Sequence, residues 1–270
     1  MNNRPHLTAL RGFILDMDGV VYRGQEVVPG AAEFIAGLRR AGIPFVYLTN
    51  NSSTSADRVA DRLRGMGIEA DAAEIITSAE VTAAEVSRAV EGRRALVIGE
   101  EGLHRALAAA GFAPVEDHRQ ADVVVVGIDR QVTYGRLREA ALAIRRGAPF
   151  YATNTDRTLP SELGLVPGAG AIVGFLEIAT DVKPTVFGKP APGFFLYALR
   201  RLGTPAELTA AIGDRPETDI LGAQRAGLRT IAVLSGAGTA GEFAAMQPPP
   251  DWIFPSLKEL AQAYFPCPQP

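Results

Sequence analysis

The sequence predicts an α/β protein in which helices wrap parallel sheets, divided into two modules. Three observations carry that expectation. Short β-branched or apolar runs alternate with amphipathic segments almost from end to end, the rhythm of a parallel sheet with helical crossovers. The runs are too many for one compact sheet of ordinary size. The 270 residues are also enough for two modest domains.

Taken in order, Gly12–Met17 reads as a buried strand that ends in acid. Pro29 opens a helix with apolar residues at Ala32, Phe34, Ile35 and Leu38, closed near Gly42. Ile43–Leu48 is the next strand and Thr54–Met66 the next helix, which Gly65 and Gly67 end. The middle repeats the pattern with strands at Ala95–Ile98, Asp122–Ile128 and Pro149–Ala152, and helices at Glu101–Ala110 and Thr133–Arg146. A third stretch begins near Val186, with strands at Leu208–Ile212 and Thr230–Leu234 and helices at Pro192–Leu202 and Pro216–Ala226. Trp252–Phe254 adds a short strand and Ser256–Tyr264 a last helix, before a proline-rich tail expected to fray. Gly168-Ala169-Gly170 reads as a tight turn into a helix and not as a dinucleotide fingerprint, because no strand directly precedes it.

Composition narrows the function classes. Hydrophobic residues make up 47% and charged residues 21%, the balance of an ordinary globular protein with a core. The net charge is −3 and no dense basic run occurs, so the electrostatic footprint of a nucleic-acid binder is missing. Uninterrupted apolar runs such as Val123–Val126 have strand length and are far short of a membrane span. The single cysteine, Cys267, excludes an intramolecular disulfide and reads as a tail residue without a role. No signal-like stretch occupies Met1 to Ala9, and a reducing, cytoplasmic setting is expected. The three histidines (His6, His104, His118) fit no zinc spacing.

Four segments carry chemistry, each at the C-terminal end of a predicted parallel strand, where open sheets bind ligands. Asp16-Met17-Asp18-Gly19 places two carboxylates after a buried strand, a costly arrangement that a divalent cation would relieve. Thr49-Asn50-Asn51-Ser52 offers hydroxyl and amide donors just before a helix, suited to an anion, although a plain N-cap would look similar. Lys189, between Gly188 and Pro190, could act as a point cation toward phosphate. Asp214 again ends a strand, and Asp219 follows inside the first helical turn, where acid is favoured anyway. Taken together these are the parts for phosphoryl transfer: a nucleophile, an acid/base, phosphate donors, a cation and metal ligands.

The set LDMDGVVYRG, LTNNS, GKP and GDRPETDI resembles the haloacid dehalogenase (HAD) superfamily of phosphohydrolases, in its NagD-type and 4-nitrophenylphosphatase-like branch. The core likeness covers Gly12–Gly67 and Pro184–Gly236, and Ala152–Gly174 is similar to that branch as well. The resemblance implies a Rossmann-like core at residues 1–79 and 182–270, with an inserted α/β cap at residues 80–181 that covers the site. It implies that Asp16 is the nucleophile and that Asp18 protonates the leaving oxygen and then activates water. Thr49, Asn50 and Asn51 would bind phosphate oxygens, and Lys189 would neutralise both Asp16 and phosphate. Mg²⁺ would be held by the Asp16 and Asp214 carboxylates and the Asp18 carbonyl, with Asp219 just outside. The loop Asn154–Pro167 would choose the substrate; Leu159 stands where some vertebrate pyridoxal-phosphatase-like members carry histidine, which weighs against a pyridoxal phosphate preference.

The implied partner is a small phosphorylated metabolite, with no nucleic acid or membrane, and the apolar, glycine-rich cap could also supply a homodimer face. A phosphomutase would carry the same residues, and a non-catalytic phospholigand-binding module is the alternative of another class.

Overall fold

The computed structural model describes residues 6–161 and 163–265. The expectations for Cys267 and for the tail beyond Phe265 therefore lie outside the described residues, as do residues 1–5. The chain divides into two compact units. One comprises Met1–Thr49, Val59–Ile76 and Lys189–Pro270, and the other Asn50–Arg58 and Thr77–Gly188.

Among the described residues the first unit carries a six-stranded sheet in the order Trp252–Phe254, Arg229–Val233, Thr209–Gly213, Gly12–Leu15, Phe45–Thr49, Ile75–Thr77. Gly12–Leu15 lies at its centre, parallel to both neighbours, with Leu15 level with Ile212 on one side and Tyr47 on the other. That register brings the residues just past Leu15 and Ile212 to the same carboxyl edge. The central strand reads as a continuous apolar run because all four of its residues are buried. Phe13 makes edge-to-face contacts with Phe34 and Tyr264, at centroid distances of 5.5 and 5.1 Å, so the helices Ala31–Arg40 and Leu257–Tyr264 pack over one strand.

The second unit is built on a five-stranded sheet, in the order Thr185–Val186, Phe150–Ala152, Val123–Val126, Arg94–Ile98, Ala113–Val115. Its four-valine strand shows why such runs lose alternation. Val124 and Val126 pack under the helices Tyr134–Arg145 and Ala169–Thr180, with Ala140, Ile144 and Leu176. Val123 and Val125 pack on the opposite face under Ser78–Ala89 and Glu101–Ala109, with Ala83, Val86 and Leu103.

Three local structures differ from expectation. The strand Ile75–Thr77 and the helix Ser78–Ala89 carry no clean stripe, because the helix is buried at Ser78, Ala79, Val81, Thr82, Ala83 and Val86, on more than one face. Asn154–Pro167, expected as a loop, contains an antiparallel hairpin of Thr158–Ser161 with Gly164–Pro167; the prolines at 160 and 167 disguise its strands. Pro216–Ala226 does not begin as an α-helix. Pro216–Ile220 forms a wider π-helical turn before the α-helix Leu221–Arg225. No helix among the described residues is long and apolar enough to cross a membrane.

Candidate active site

The carboxyl edge of the first unit's sheet gathers Asp16, Asp214, Asp219 and Lys189. Asp16 follows the central strand, and its N–H donates to the Ile212 carbonyl at 2.9 Å, so the neighbouring strand holds its backbone. One ligand oxygen each from Asp16, Asp214 and Asp219 lies within 4.8 Å of the others. Lys189 Nζ ion-pairs with Asp16 Oδ1 and stands 2.8 Å from Asp219 Oδ1. Lys189 is 4% exposed, and Asp214 and Asp219 are 2% exposed, so the cluster is nearly dry.

Three carboxylates, those of Asp214 and Asp219 buried and that of Asp16 largely so, therefore face one ammonium among the described residues. Burial pushes the Asp16 carboxyl well up, Lys189 pulls it part of the way back, and the charges of Asp219 and Asp214 raise it again. Burial and then the Asp219 charge push Asp214 up to about 6. Burial alone would depress Lys189, but the charges of Asp16 and Asp219 outweigh it and hold the ammonium above its ordinary range.

The Asp214 carboxylate has one supported oxygen and one without a partner. Its Oδ2 accepts from the Ala237 N–H at 2.7 Å, whereas its buried Oδ1 has no hydrogen-bond partner among the described residues. Two glycines enclose it: a Cβ on Gly19 would come within 2.4 Å of Asp214 Oδ2, and one on Gly236 within 1.9 Å. Gly19 has φ +83°, so it also supplies the turn that carries the chain away from Asp18. A buried carboxylate oxygen aimed at nothing, beside a second carboxylate and a net negative surplus, suits a hard divalent cation.

Asp219 is placed differently from the reading of a simple first-turn acid. Its Oδ2 accepts from the N–H groups of Asp214 and Arg215, at 3.2 and 3.0 Å, and this reach-back accompanies the π-helical turn. With Oδ1 on Lys189, its carboxylate is engaged by the protein on both sides. Asp18 keeps an exposed surface within densely packed surroundings, which push its carboxyl up against the pull of Arg62 and Lys189. The Tyr22 hydroxyl donates to Asp18 Oδ2 at 3.4 Å, and the Arg62 guanidinium lies 4.3 Å from the Tyr22 ring centre.

Thr49 ends the strand Phe45–Thr49 beside the central strand, and it is buried. Asn50 and Asn51, next in the chain, fall in the second unit. Residues missed by sequence reasoning include Tyr22, Arg62, Gly236 and Ala237. Gly236 and Ala237 had a usable signal, since the small residues of Ser235–Gly238 follow the end of a parallel strand, Arg229–Val233.

A second cluster joins Asp117, His118 and Glu139. His118 Nδ1 lies 2.7 Å from Glu139 Oε2, while Arg119 binds both oxygens of Asp117 and Arg138 binds Glu139 Oε1 at 2.8 Å. The arginines already neutralise these carboxylates, so the group is an ion-pair tie between a loop and the helix Tyr134–Arg145.

Comparison with known proteins decides the family. A family profile described as haloacid dehalogenase-like hydrolase matches residues 13–113, and a second HAD-hydrolase-like profile matches residues 186–260. An acid sugar phosphatase of Staphylococcus saprophyticus is 39% identical over 250 residues, 93% of this chain and 96% of the relative. The chain belongs to the haloacid dehalogenase-like hydrolases. Among solved structures of this family, the 4-nitrophenylphosphatase from Thermotoga maritima is similar with a TM-score of 0.89 and 36% identity, covering 96% of this chain and 98% of that one. The glycerol phosphate phosphatase of Mycobacterium tuberculosis, in complex with magnesium, has a TM-score of 0.90 and 36% identity, covering 99% of this chain and 82% of that one. These likenesses put the chain in the nitrophenylphosphatase-like branch of the HAD family.

Proposed function

We propose that this HAD-family member is a Mg²⁺-dependent phosphatase that hydrolyses small phosphate monoesters, sugar or polyol phosphates foremost, through an aspartyl-phosphate intermediate. The observation that carries the reading is the largely buried group Asp16–Asp214–Asp219 around Lys189, with the Asp214 Oδ1 atom without a hydrogen-bond partner among the described residues. The names of the similar proteins support the substrate class.

In this reading an Asp16 carboxylate oxygen attacks phosphorus and the bond to the leaving oxygen breaks, while Asp18 gives that oxygen its proton. Asp18 then takes a proton from water as the water attacks the phosphoryl group, and the bond to Asp16 breaks to free phosphate and restore the carboxylate. The raised carboxyl of Asp18 suits this alternation, because a group that gives and takes a proton works best near the operating pH. Lys189 offsets the repulsion between the Asp16 carboxylate and the incoming phosphate, which for unit charges 4 Å apart is about 4 kcal/mol at an effective dielectric of 20. Thr49, Asn50 and Asn51 bind the phosphate oxygens. Magnesium would be held by the Asp16 and Asp214 carboxylates and the Asp18 carbonyl, with Asp219 orienting its surroundings, and supplies further charge neutralisation there. The second unit, with its 158–167 hairpin, is the substrate-choosing cap. A cytoplasmic setting is in keeping with the single cysteine.

The test is phosphate release from 4-nitrophenyl phosphate and from a panel of sugar and polyol phosphates, with magnesium and with EDTA. Chelation should abolish turnover and added Mg²⁺ restore it; turnover indifferent to EDTA would overturn the metal-dependent mechanism. A pH dependence follows from the same cluster. Raised carboxyls bind protons in the folded state, so they add stability to the metal-free protein that is present below about pH 4 and is lost as pH rises through about 6, where Asp214 titrates. Magnesium must displace those protons, so the thermal stabilisation from a fixed Mg²⁺ concentration should be larger at pH 8 than at pH 5. Scanning calorimetry at the two pH values measures it, and equal stabilisation would remove Asp214 from the ligand set.

A further inference from the structure

Asn50, the residue directly after the strand Phe45–Thr49, is held at its backbone carbonyl and at its side-chain amide nitrogen by side chains of the second unit. Its backbone carbonyl accepts from Ser78 Oγ at 2.7 Å and from Asn154 Nδ2 at 2.8 Å. Its side-chain Nδ2 donates to Asp156 Oδ2 at 3.0 Å. Its Oδ1 lies against Gly188, where an added Cβ would come within 2.7 Å of that oxygen and 2.2 Å of the Thr153 carbonyl.

Asp156 is itself anchored. Its N–H donates to Asn154 Oδ1 at 3.1 Å, and its carbonyl accepts from the Gly170 N–H at 2.9 Å, in the first turn of the helix Ala169–Thr180. That helix can close on the segment because Gly168 and Gly170 lack side chains: a Cβ on either would come within 2.3 Å of the Asp156 or Thr155 carbonyl oxygen. The Gly168-Ala169-Gly170 stretch thus has a task of its own, and Gly188 of the GKP segment has one separate from that of the lysine.

We propose that Asp156 is a positioning residue for the phosphate-binding loop: it fixes Asn50 in the orientation that meets a phosphate oxygen, in space that Gly188 leaves open. The inference rests on the reading of Thr49, Asn50 and Asn51 as phosphate ligands. A terminal amide otherwise turns over a broad range about χ2, and a carboxylate bound to Nδ2 removes that freedom before the anion arrives. The carboxylate also lies in a region that must accept an anion, a placement that works only when its charge is engaged by a donor such as this amide.

The experiment measures the inhibition constant of inorganic phosphate, with kcat and KM for 4-nitrophenyl phosphate and Mg²⁺, in the wild type, Asp156→Ala, Asp156→Asn, Asn50→Ala and the Asn50→Ala/Asp156→Ala double variant. Asp156→Ala should weaken phosphate binding about tenfold, the scale of a hydrogen bond to a charged group. Asp156→Asn keeps an acceptor for Nδ2 and should stay within about threefold of wild type on the same scale. In the Asn50→Ala background the further change to Ala at 156 should cost less than about twofold, because the group it positions is gone. Full additivity of the two losses, or a loss in Asp156→Asn equal to that in Asp156→Ala, would overturn the positioning role while leaving the phosphatase intact. A wild type that neither hydrolyses the ester nor binds phosphate would instead sink the phosphatase reading, and this inference with it.

Discussion

Asp16→Asn is expected to lower kcat roughly 10⁴-fold or more, the scale on which loss of a nucleophile is felt, without lowering the stability of the metal-free protein. The two halves of the expectation come from the same geometry. In the proposed mechanism the Asp16 oxygen is the atom that bonds to phosphorus, and an amide at that position is a poor nucleophile. Yet Asp16 is one of three carboxylates packed against a single ammonium, and burial already pushes its carboxyl up. At neutral pH the folded, metal-free protein is therefore opposed by the charge on Asp16, and removing it leaves Lys189 still paired with Asp219. The thermal midpoint without metal should hold or rise, by about 2–4 °C for each kcal/mol relieved. Single-turnover kinetics and calorimetry in EDTA check both. A midpoint several degrees below wild type would mean that Asp16 mainly serves Lys189 as a structural partner.

The strand-end acids could be read from the sequence because buried parallel strands appear as apolar runs, and a carboxylate at the end of such a run stands out. Gly12–Leu15 before Asp16 and Thr209–Gly213 before Asp214 are of this kind. What supports those acids could not be read in the same way. Gly19 and Gly236 enclose Asp214 from segments more than two hundred residues apart, and although each follows a strand end, nothing local says that the two meet around one carboxylate. Asp219 looked like a first-turn acid because its spacing from Pro216 fits one. Its reach-back to the Asp214 and Arg215 amides, and its pairing with Lys189, depend on tertiary contacts. The helix Ser78–Ala89 and the 158–167 hairpin were missed for local reasons. One is buried on too many faces to show a stripe, and the other has prolines where strand residues are expected. Asp156 sat in plain view within ATNTD, but its link to Asn50 spans 106 positions.

Lys189→Met is expected to have the largest effect on stability. The methionine keeps much of the side-chain volume, so the change isolates the charge. Without the ammonium, Asp16, Asp214 and Asp219 share a nearly dry site in which, among the described residues, only backbone N–H groups and the more distant Arg215 charge remain to offset them. Leaving buried charge without its ion-pair partner costs about 3–5 kcal/mol. The stabilisation from a lysine raised by its partners is fully present below its unfolded pKa, near 10.4, and is lost only as pH rises through the still higher folded value. The lysine's own titration therefore adds no pH dependence between pH 7 and pH 8.5. The carboxyls it leaves behind, already raised by burial, rise further without it, so the loss in Lys189→Met should be larger at pH 8.5 than at pH 7. Two rescues distinguish this electrostatic account from simple misfolding. Saturating Mg²⁺ should return part of the lost stability, since the cation is drawn to the same surplus of negative charge. The Asp16→Asn/Lys189→Met double variant should be less destabilised than Lys189→Met alone, because it removes one of the carboxylates that the lysine had balanced. Denaturant titrations of the four proteins, with and without Mg²⁺, measure both. If neither rescue occurs, Lys189 acts through packing and the charge balance proposed for the site is wrong.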